Sequence, residues 1–509
     1  MNNKTVYVLA GLFFLIAVAL KLFLAFSTDS FSYDGYNVIR QADSIVESAK
    51  PLYHDSLSYG GRNNLFSPLY FYILAAFSFL FNTMLVVKIL PAIFSSSIVL
   101  VIYAFAERLT KNKPLSLAFS FLSIFIPVFF TETLFSGSVY SLAIPLVLLC
   151  IFLFARSDKF KLEKLSLFAV ILLILIHPSS IVLLLGFVFY IALSKFFGSS
   201  PERREVEVVL FSIFFYAWFY FIIYKNALLS HGFRVIWHNL PLKLITSYFV
   251  HINVIEIMTY LGLLVSLLAV FSIYHSVFVI KRKNLLLVTA TIIACVLLLL
   301  FRLMSLKEGL MYLATLFMIH AAHAVKLIFD YLKKTKLSRL AVPVVCIILL
   351  LAFVNLSASL YTSFNIKKSE LPTGNDLAAL KWLSLNTPSD SVILGRADEG
   401  FAIAGLAKRK NVADTSFILI NNADERFNDV TRVFSLRTTA EAINIFEKYG
   451  VDYVLLTSST QRLESISGLH FGSDNECFRL LYDNISKVYK VKCTVQKEIK
   501  KDFGLEAGD

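Results

Sequence analysis

A chain of 509 residues that is 57% hydrophobic and only 16% charged, with a mean hydropathy of +0.71, does not have the composition of a soluble globule. Its net charge of +13 would suit nucleic acid, but the basic residues gather in short loops between apolar runs, so we expect no nucleic-acid partner. No Cys-x-x-Cys or His/Cys spacing points to zinc, and no glycine-rich loop points to a nucleotide.

A spanning helix needs roughly 20 mostly apolar residues. Runs near 5–26, 85–106, 114–131, 138–155, 163–177, 179–196, 206–224, 254–280, 284–301, 308–329 and 340–361 predict about eleven spans. The first run is long and continues into an acidic loop, which predicts a retained anchor rather than a cleaved leader, with Lys21 expected to snorkel outward. The stretch 67–82 is apolar but short. It reads either as a twelfth span or as a segment lying along the outer interface, and its aromatics Tyr70, Phe71, Tyr72, Phe77, Phe79 and Phe81 favour the second.

Basic residues concentrate in alternate loops: Arg108, Lys111 and Lys113; Arg156, Lys159, Lys161 and Lys164; Lys195, Arg203 and Arg204; Lys281, Arg282 and Lys283; Lys333, Lys334, Lys336 and Arg339. The positive-inside rule makes these loops cytoplasmic. With the interfacial reading of 67–82, the amino terminus is cytoplasmic, the loop 27–84 is external, and everything after Tyr361 is extracytoplasmic.

Two domains are expected, a membrane domain over 1–365 and a soluble extracytoplasmic α/β domain over 366–509. In the second, "NDLAALKWLSL" and "TTAEAINIFEKYG" read as helices and "SVILGR" and "VDYVLLTS" as strands. Thr438 with Glu441 resembles a capping box, and Gly450 is placed as a helix stop. Cys150, Cys295 and Cys346 lie in apolar runs as small hydrophobes, which leaves Cys477 and Cys493 as the pair able to bond. The sequon Asn484-Ile-Ser486 is consistent with an external location.

Ionisable groups near a membrane core are costly, so an acid at the mouth of a helix bundle is a site candidate. Asp34 follows the first span, between Tyr33 and Tyr36, and Arg40, His54, Asp55 and Arg62 come after it as weaker acceptor or sugar contacts. Read on its own, Asp34 fits a solvated loop acid equally well. Glu132, in "PVFFTETLFSGS", is expected on the same face, although a carboxylate near a helix end also finds backbone partners or water. Such a pair can orient an acceptor, take its proton, or share a divalent cation, Mg or Mn, through oxygen ligands. Arg302 and Lys307, at the external end of two spans, either snorkel or bind an anionic leaving group. His177, before Pro178 and two serines, reads as a turn residue.

Together these pieces resemble the membrane-embedded GT-C glycosyltransferases, especially the catalytic subunit of archaeal oligosaccharyltransferase. The resemblance covers nearly the whole chain. "YDGYNVIRQADSIVESAKPLYHDSLSYGGR" looks like the family's first external loop, "SPLYFYILAAF" like its aromatic outer-surface segment, and "TETLFSG" like its second acidic motif reduced to Glu132. Arg396-Ala397-Asp398-Glu399-Gly400 stands where that subunit has a tryptophan-tryptophan-aspartate-tyrosine-glycine motif, which reads the sequon hydroxyl, so the resemblance speaks against ordinary N-glycosylation. It implies a polytopic helical membrane protein. A sugar or glycan would move from a polyprenyl phosphate or diphosphate to an unassigned acceptor outside the cytoplasm, with Asp34 activating the acceptor and Arg302, helped by Lys307, receiving the phosphate. The alternative from another class is a transporter or flippase for lipid-linked saccharides.

Overall fold

The computed structural model describes residues 2–156, 160–198, 201–247, 253–280 and 282–494; Lys159 and Lys281 of the basic loops lie outside the described residues. The chain divides into two compact units. One comprises Met1–Thr28, Phe66–Lys225 and Ser247–Ser369, the other Asp29–Leu65, Asn226–Thr246 and Glu370–Asp509.

The first unit is a helical membrane bundle. Among the described residues, seven helices are long and apolar enough to cross a bilayer, or eight if a bent pair counts as one. Four of the eleven expected runs are not among these seven: Tyr140–Phe154 and Phe160–Ile176 are helices of only 15 and 17 residues, and the other two are broken. The apolar run 114–131 is interrupted at Pro127: Ile126 is extended, at φ −65° and ψ 109°, as a residue before proline tends to be, and a short helix Pro127–Glu132 restarts beyond it. The run 254–280 bends by 84° between Val254–Leu261 and Leu263–Val279. Its hinge is Gly262, at φ 80°, where a Cβ would also stand 2.6 Å from Leu356 Cδ2. The helix in 67–82 covers only Leu69–Ser78, 10 residues and hence about 15 Å, half of the roughly 30 Å hydrocarbon core.

Lys21 corrects the expectation of snorkelling. Its side chain is buried, and Nζ donates to Ser95 Oγ at 2.7 Å and Thr133 Oγ1 at 2.9 Å, with the rings of Phe129 and Phe130 about it. Two hydroxyls and two π faces replace the water that an outward turn would have supplied.

The second unit is α/β. Its strands are β1 (His54–Asp55), β2 (Arg62–Asn63), β3 (Val392–Leu394), β4 (Lys410–Asn411), β5 (Tyr453–Leu456), β6 (Phe478–Asp483) and β7 (Lys487–Val491). Strands β1 and β2 form a hairpin; the other five form one sheet in the order β4-β3-β5-β7-β6, with β4, β3 and β5 parallel and β7 antiparallel to β5 and β6. Val454 and Leu456 of β5, with Ile443 and Phe446 of the Thr439–Tyr449 helix, centre its apolar core. Gly450 ends that helix at φ 62°, as expected. Cys477 and Cys493 are bonded, tying the start of β6 to the chain beyond β7.

The Thr438 capping box does not form: no side-chain bond caps the helix, and Glu441 pairs with Arg432 at 2.8 Å instead. A guanidinium within reach outcompetes a backbone amide for the carboxylate. A capping box does form at Thr373 with Asp376, whose buried carboxylate also accepts from Ser458 and Ser486.

Candidate active site

Most of the expected external loop is folded structure. Tyr33–Ser48 is a helix, the β1–β2 hairpin follows it, and both pack on the C-terminal α/β region within the second unit. The "SYGGR" turn makes the join. The Tyr59 amide donates to Asn411 Oδ1 at 2.8 Å, the Asn411 amide donates to the Leu57 carbonyl at 2.8 Å, and the Tyr59 hydroxyl donates to the Asp414 carbonyl at 2.6 Å. Arg62 is buried against Asp414 at 3.2 Å and donates to the Ser416 carbonyl. Burial pushes the Asp414 carboxyl up, against the pull of Arg62 and the Ser58 hydroxyl.

Of the other residues singled out in this loop, Arg40 and Asp55 form a two-pronged ion pair, with both N–O distances 2.7 Å. Burial alone would raise the Asp55 carboxyl, but Arg40 and the amides of Leu57 and Ser58 hold it below the usual carboxylate range. His54 Nδ1 lies 3.0 Å from Asn63 Oδ1 across the hairpin. Arg40, Asp55 and Arg62 thus brace the loop. Asp34, by contrast, is exposed in the first turn of the Tyr33–Ser48 helix, where the helix dipole favours a negative charge. Buried Tyr33 and Tyr36 flank it, and the Thr415 hydroxyl donates to its Oδ1 at 3.1 Å. Thr415 escaped the sequence reading because nothing local ties it to a residue 381 positions earlier.

In the Arg396–Gly400 segment, Gly400 is needed for close approach: a Cβ there would meet the Ala413 carbonyl oxygen at 2.1 Å. Arg396 pairs with Asp398 and Glu464, while Glu399 turns inward to accept from the hydroxyls of Thr457 and Thr460. Burial, then the nearby Asp398, pushes the Glu399 pKa up from 4.5 to about 8. The folded chain therefore holds this proton more tightly than the unfolded one, and the contribution to stability falls as pH rises from about 4.5 to about 8. Glu399→Gln, uncharged throughout, is expected to flatten that fall. Melting temperatures between about pH 5 and pH 9 should drop less for the variant than for the wild type, and parallel curves would contradict the assignment.

In the membrane unit, Glu132 closes the Pro127–Glu132 helix and is ion-paired to Lys367 at 2.8 Å and to Lys307 at 3.5 Å. Its carboxylate is only 14% exposed. Two ammonium groups thus face one carboxylate. Lys367 ends a long apolar helix and looks in the sequence like any juxtamembrane lysine. Arg302 sits in the turn between Lys283–Leu300 and Leu306–Lys333, at φ 57°, and is partly buried. That left-handed backbone is uncommon for a residue with a side chain and marks a functional candidate.

His177 is the expected turn residue. It breaks the chain before Pro178 in an extended conformation, and its Nδ1 lies 2.8 Å from Ser179 Oγ, which in turn meets the Tyr312 hydroxyl at 2.8 Å. Tyr140 stands edge-on to both His177 and Tyr312. These tyrosines line the bundle interior and carried no signal in the sequence beyond being aromatic.

For a divalent cation, no cluster of three His, Cys, Asp or Glu side chains exists among the described residues. Glu132 faces two ammonium groups, a donor set that does not fit Mg or Mn, and Asp34 would offer a single carboxylate.

No family model matches the chain, and no curated protein matches it in sequence. Solved structures do match. The apo oligosaccharyltransferase of Archaeoglobus fulgidus superposes with a TM-score of 0.70 over 90% of this chain and 70% of its own, at 14% identity. The same archaeal enzyme, AglB, in complex with an inhibitory peptide and a dolichol-phosphate, gives 0.62 over 87% of this chain and 69% of its own, at 14% identity. ArnT from Cupriavidus metallidurans, bound to undecaprenyl phosphate, gives 0.57 over 95% and 98% at 10% identity; the mycobacterial arabinofuranosyltransferase AftD gives 0.54 over 95% and 40% at 13%. All three proteins are GT-C glycosyltransferases. This chain is a multi-pass membrane protein with the GT-C glycosyltransferase fold, its helical membrane unit followed by a C-terminal α/β region.

Proposed function

We propose that the chain transfers a sugar or glycan from a polyprenyl phosphate or diphosphate to an acceptor on the outer face of the membrane. The observation that carries the reading is the lysine pair Lys307 and Lys367 on a partly buried carboxylate, in a fold shared with enzymes solved with dolichol-phosphate and undecaprenyl phosphate. The basic loops, taken as cytoplasmic, put the opposite side and the C-terminal domain outside.

In the proposed step, Asp34 takes the proton from the acceptor hydroxyl or amine, and the freed lone pair attacks the anomeric carbon. The bond from that carbon to the phosphate oxygen breaks, and its electron pair leaves with the lipid phosphate. Arg302 and Lys307 receive that charge. Glu132 acts as a positioning residue, since it holds Lys307 and Lys367 at fixed separation. No step is routed through a metal. The energy is stored in the donor bond, so no nucleotide is consumed.

Purified protein mixed with host membranes as acceptor source and a panel of labelled polyprenyl mono- and diphosphate sugars should release lipid phosphate from at least one donor. Release from none, with the protein folded, would contradict the proposal.

A further inference from the structure

A second feature of the membrane unit lies at the end that carries the basic loops. A cavity of about 580 Å³ opens between the start of the Asn3–Ala25 helix, the end of Ile98–Thr110 and the end of Tyr140–Phe154. Its character changes along its length. Gly11, Leu100 and Ala104 make an apolar wall, while Arg108 and Arg156 stand at the other end. Both guanidiniums are held in place: Arg108 Nη2 donates to the Ala155 carbonyl at 3.0 Å, and Arg156 lies over the Phe152 ring at 5.4 Å. Glu107 also lines the cavity, so the charged end is net positive by one. The Tyr103 hydroxyl, in the same wall, lies beside the Glu107 carboxylate.

Gly11 supplies an independent sign that the space is meant to be filled. Glycine is a poor helix former, and packing does not require it here, because a Cβ at this position would meet no atom within 4 Å. The missing side chain is part of the cavity. The apolar wall reaches the outer surface of the bundle, where Tyr7 and Leu100 are 63% and 40% exposed, so the ligand enters from the bilayer rather than from water.

We propose that this cavity binds an anionic glycerophospholipid of the leaflet at the basic-loop end, with its phosphate between Arg108 and Arg156 and an acyl chain along Gly11 and Ala104. Forked guanidiniums match phosphate oxygens, and basic pockets between spanning helices are the recurrent form of such sites. The inference does not depend on the glycosyl-transfer reading, because it uses none of the residues assigned to that reaction.

Native mass spectrometry of the full chain in detergent, titrated with phosphatidylglycerol or with phosphatidylcholine of the same acyl chains, tests it. The wild type is expected to bind phosphatidylglycerol about tenfold more tightly, the size expected of two guanidiniums near a phosphate. Arg108→Gln with Arg156→Gln should bring the two lipids to within about twofold of each other. Gly11→Leu keeps both charges, extends into the groove from a Cβ that meets no atom within 4 Å, and should weaken phosphatidylglycerol by about tenfold with an unchanged melting temperature. Equal binding of both lipids by the wild type, or Gly11→Leu binding like the wild type, would overturn the proposal. So would occupancy by undecaprenyl phosphate with no occupancy by phosphatidylglycerol.

Discussion

Asp34→Asn is expected to lower glycosyl transfer by about a thousandfold while leaving the melting temperature within a few degrees of the wild type. General-base catalysis contributes typically 10²–10⁴-fold, and asparagine removes the base while keeping the shape. Its amide oxygen still accepts from Thr415, so the clamp that holds the side chain survives. At the helix start the substitution removes the carboxylate's interaction with the dipole, a cost of about 0.3–1 kcal/mol. Single-turnover transfer with the donor in excess is the measurement, and a loss of less than about threefold would remove Asp34 from the reaction.

Arg302→Gln should cost about a hundredfold or more in kcat, the size of losing one preorganised donor to a developing charge. Arg302→Lys, which keeps the charge but not the fork, should recover part of that loss. Glutamine suits the positive φ at this turn no worse than arginine, so a drop in activity would not report a broken backbone. Lys307→Gln should cost less, because Lys367 remains on the same carboxylate. If Arg302→Gln raised KM alone, its guanidinium would bind donor and transition state equally and would not act on the departing phosphate.

What the sequence revealed was set by local rules. The strands around Val392 and Tyr453, the helix stop at Gly450 and the shortness of the helix in 67–82 follow from periodicity, one glycine and a length count. The Cys477–Cys493 bond followed by elimination. The remainder rests on partners far away in the chain. Lys21 faces inward because Thr133 is there to receive it, Asp34 is oriented by Thr415, and Glu132 meets Lys367 across 235 positions. Local chemistry also misled where two partners competed, as when Arg432 drew Glu441 away from its cap. The broken runs at Pro127 and Gly262 were legible in principle, since a proline and a positive-φ glycine mark each break. A hydropathy count passes over both.

Sugar transfer and lipid movement differ in one bond. Protein reconstituted into vesicles with a donor labelled in both sugar and lipid should generate free polyprenyl phosphate and transferred sugar in equal amounts, both lost together in Asp34→Asn. Intact donor appearing in the opposite leaflet with no lipid phosphate released would make the chain a carrier of lipid-linked sugars, and the account of its chemistry would be wrong.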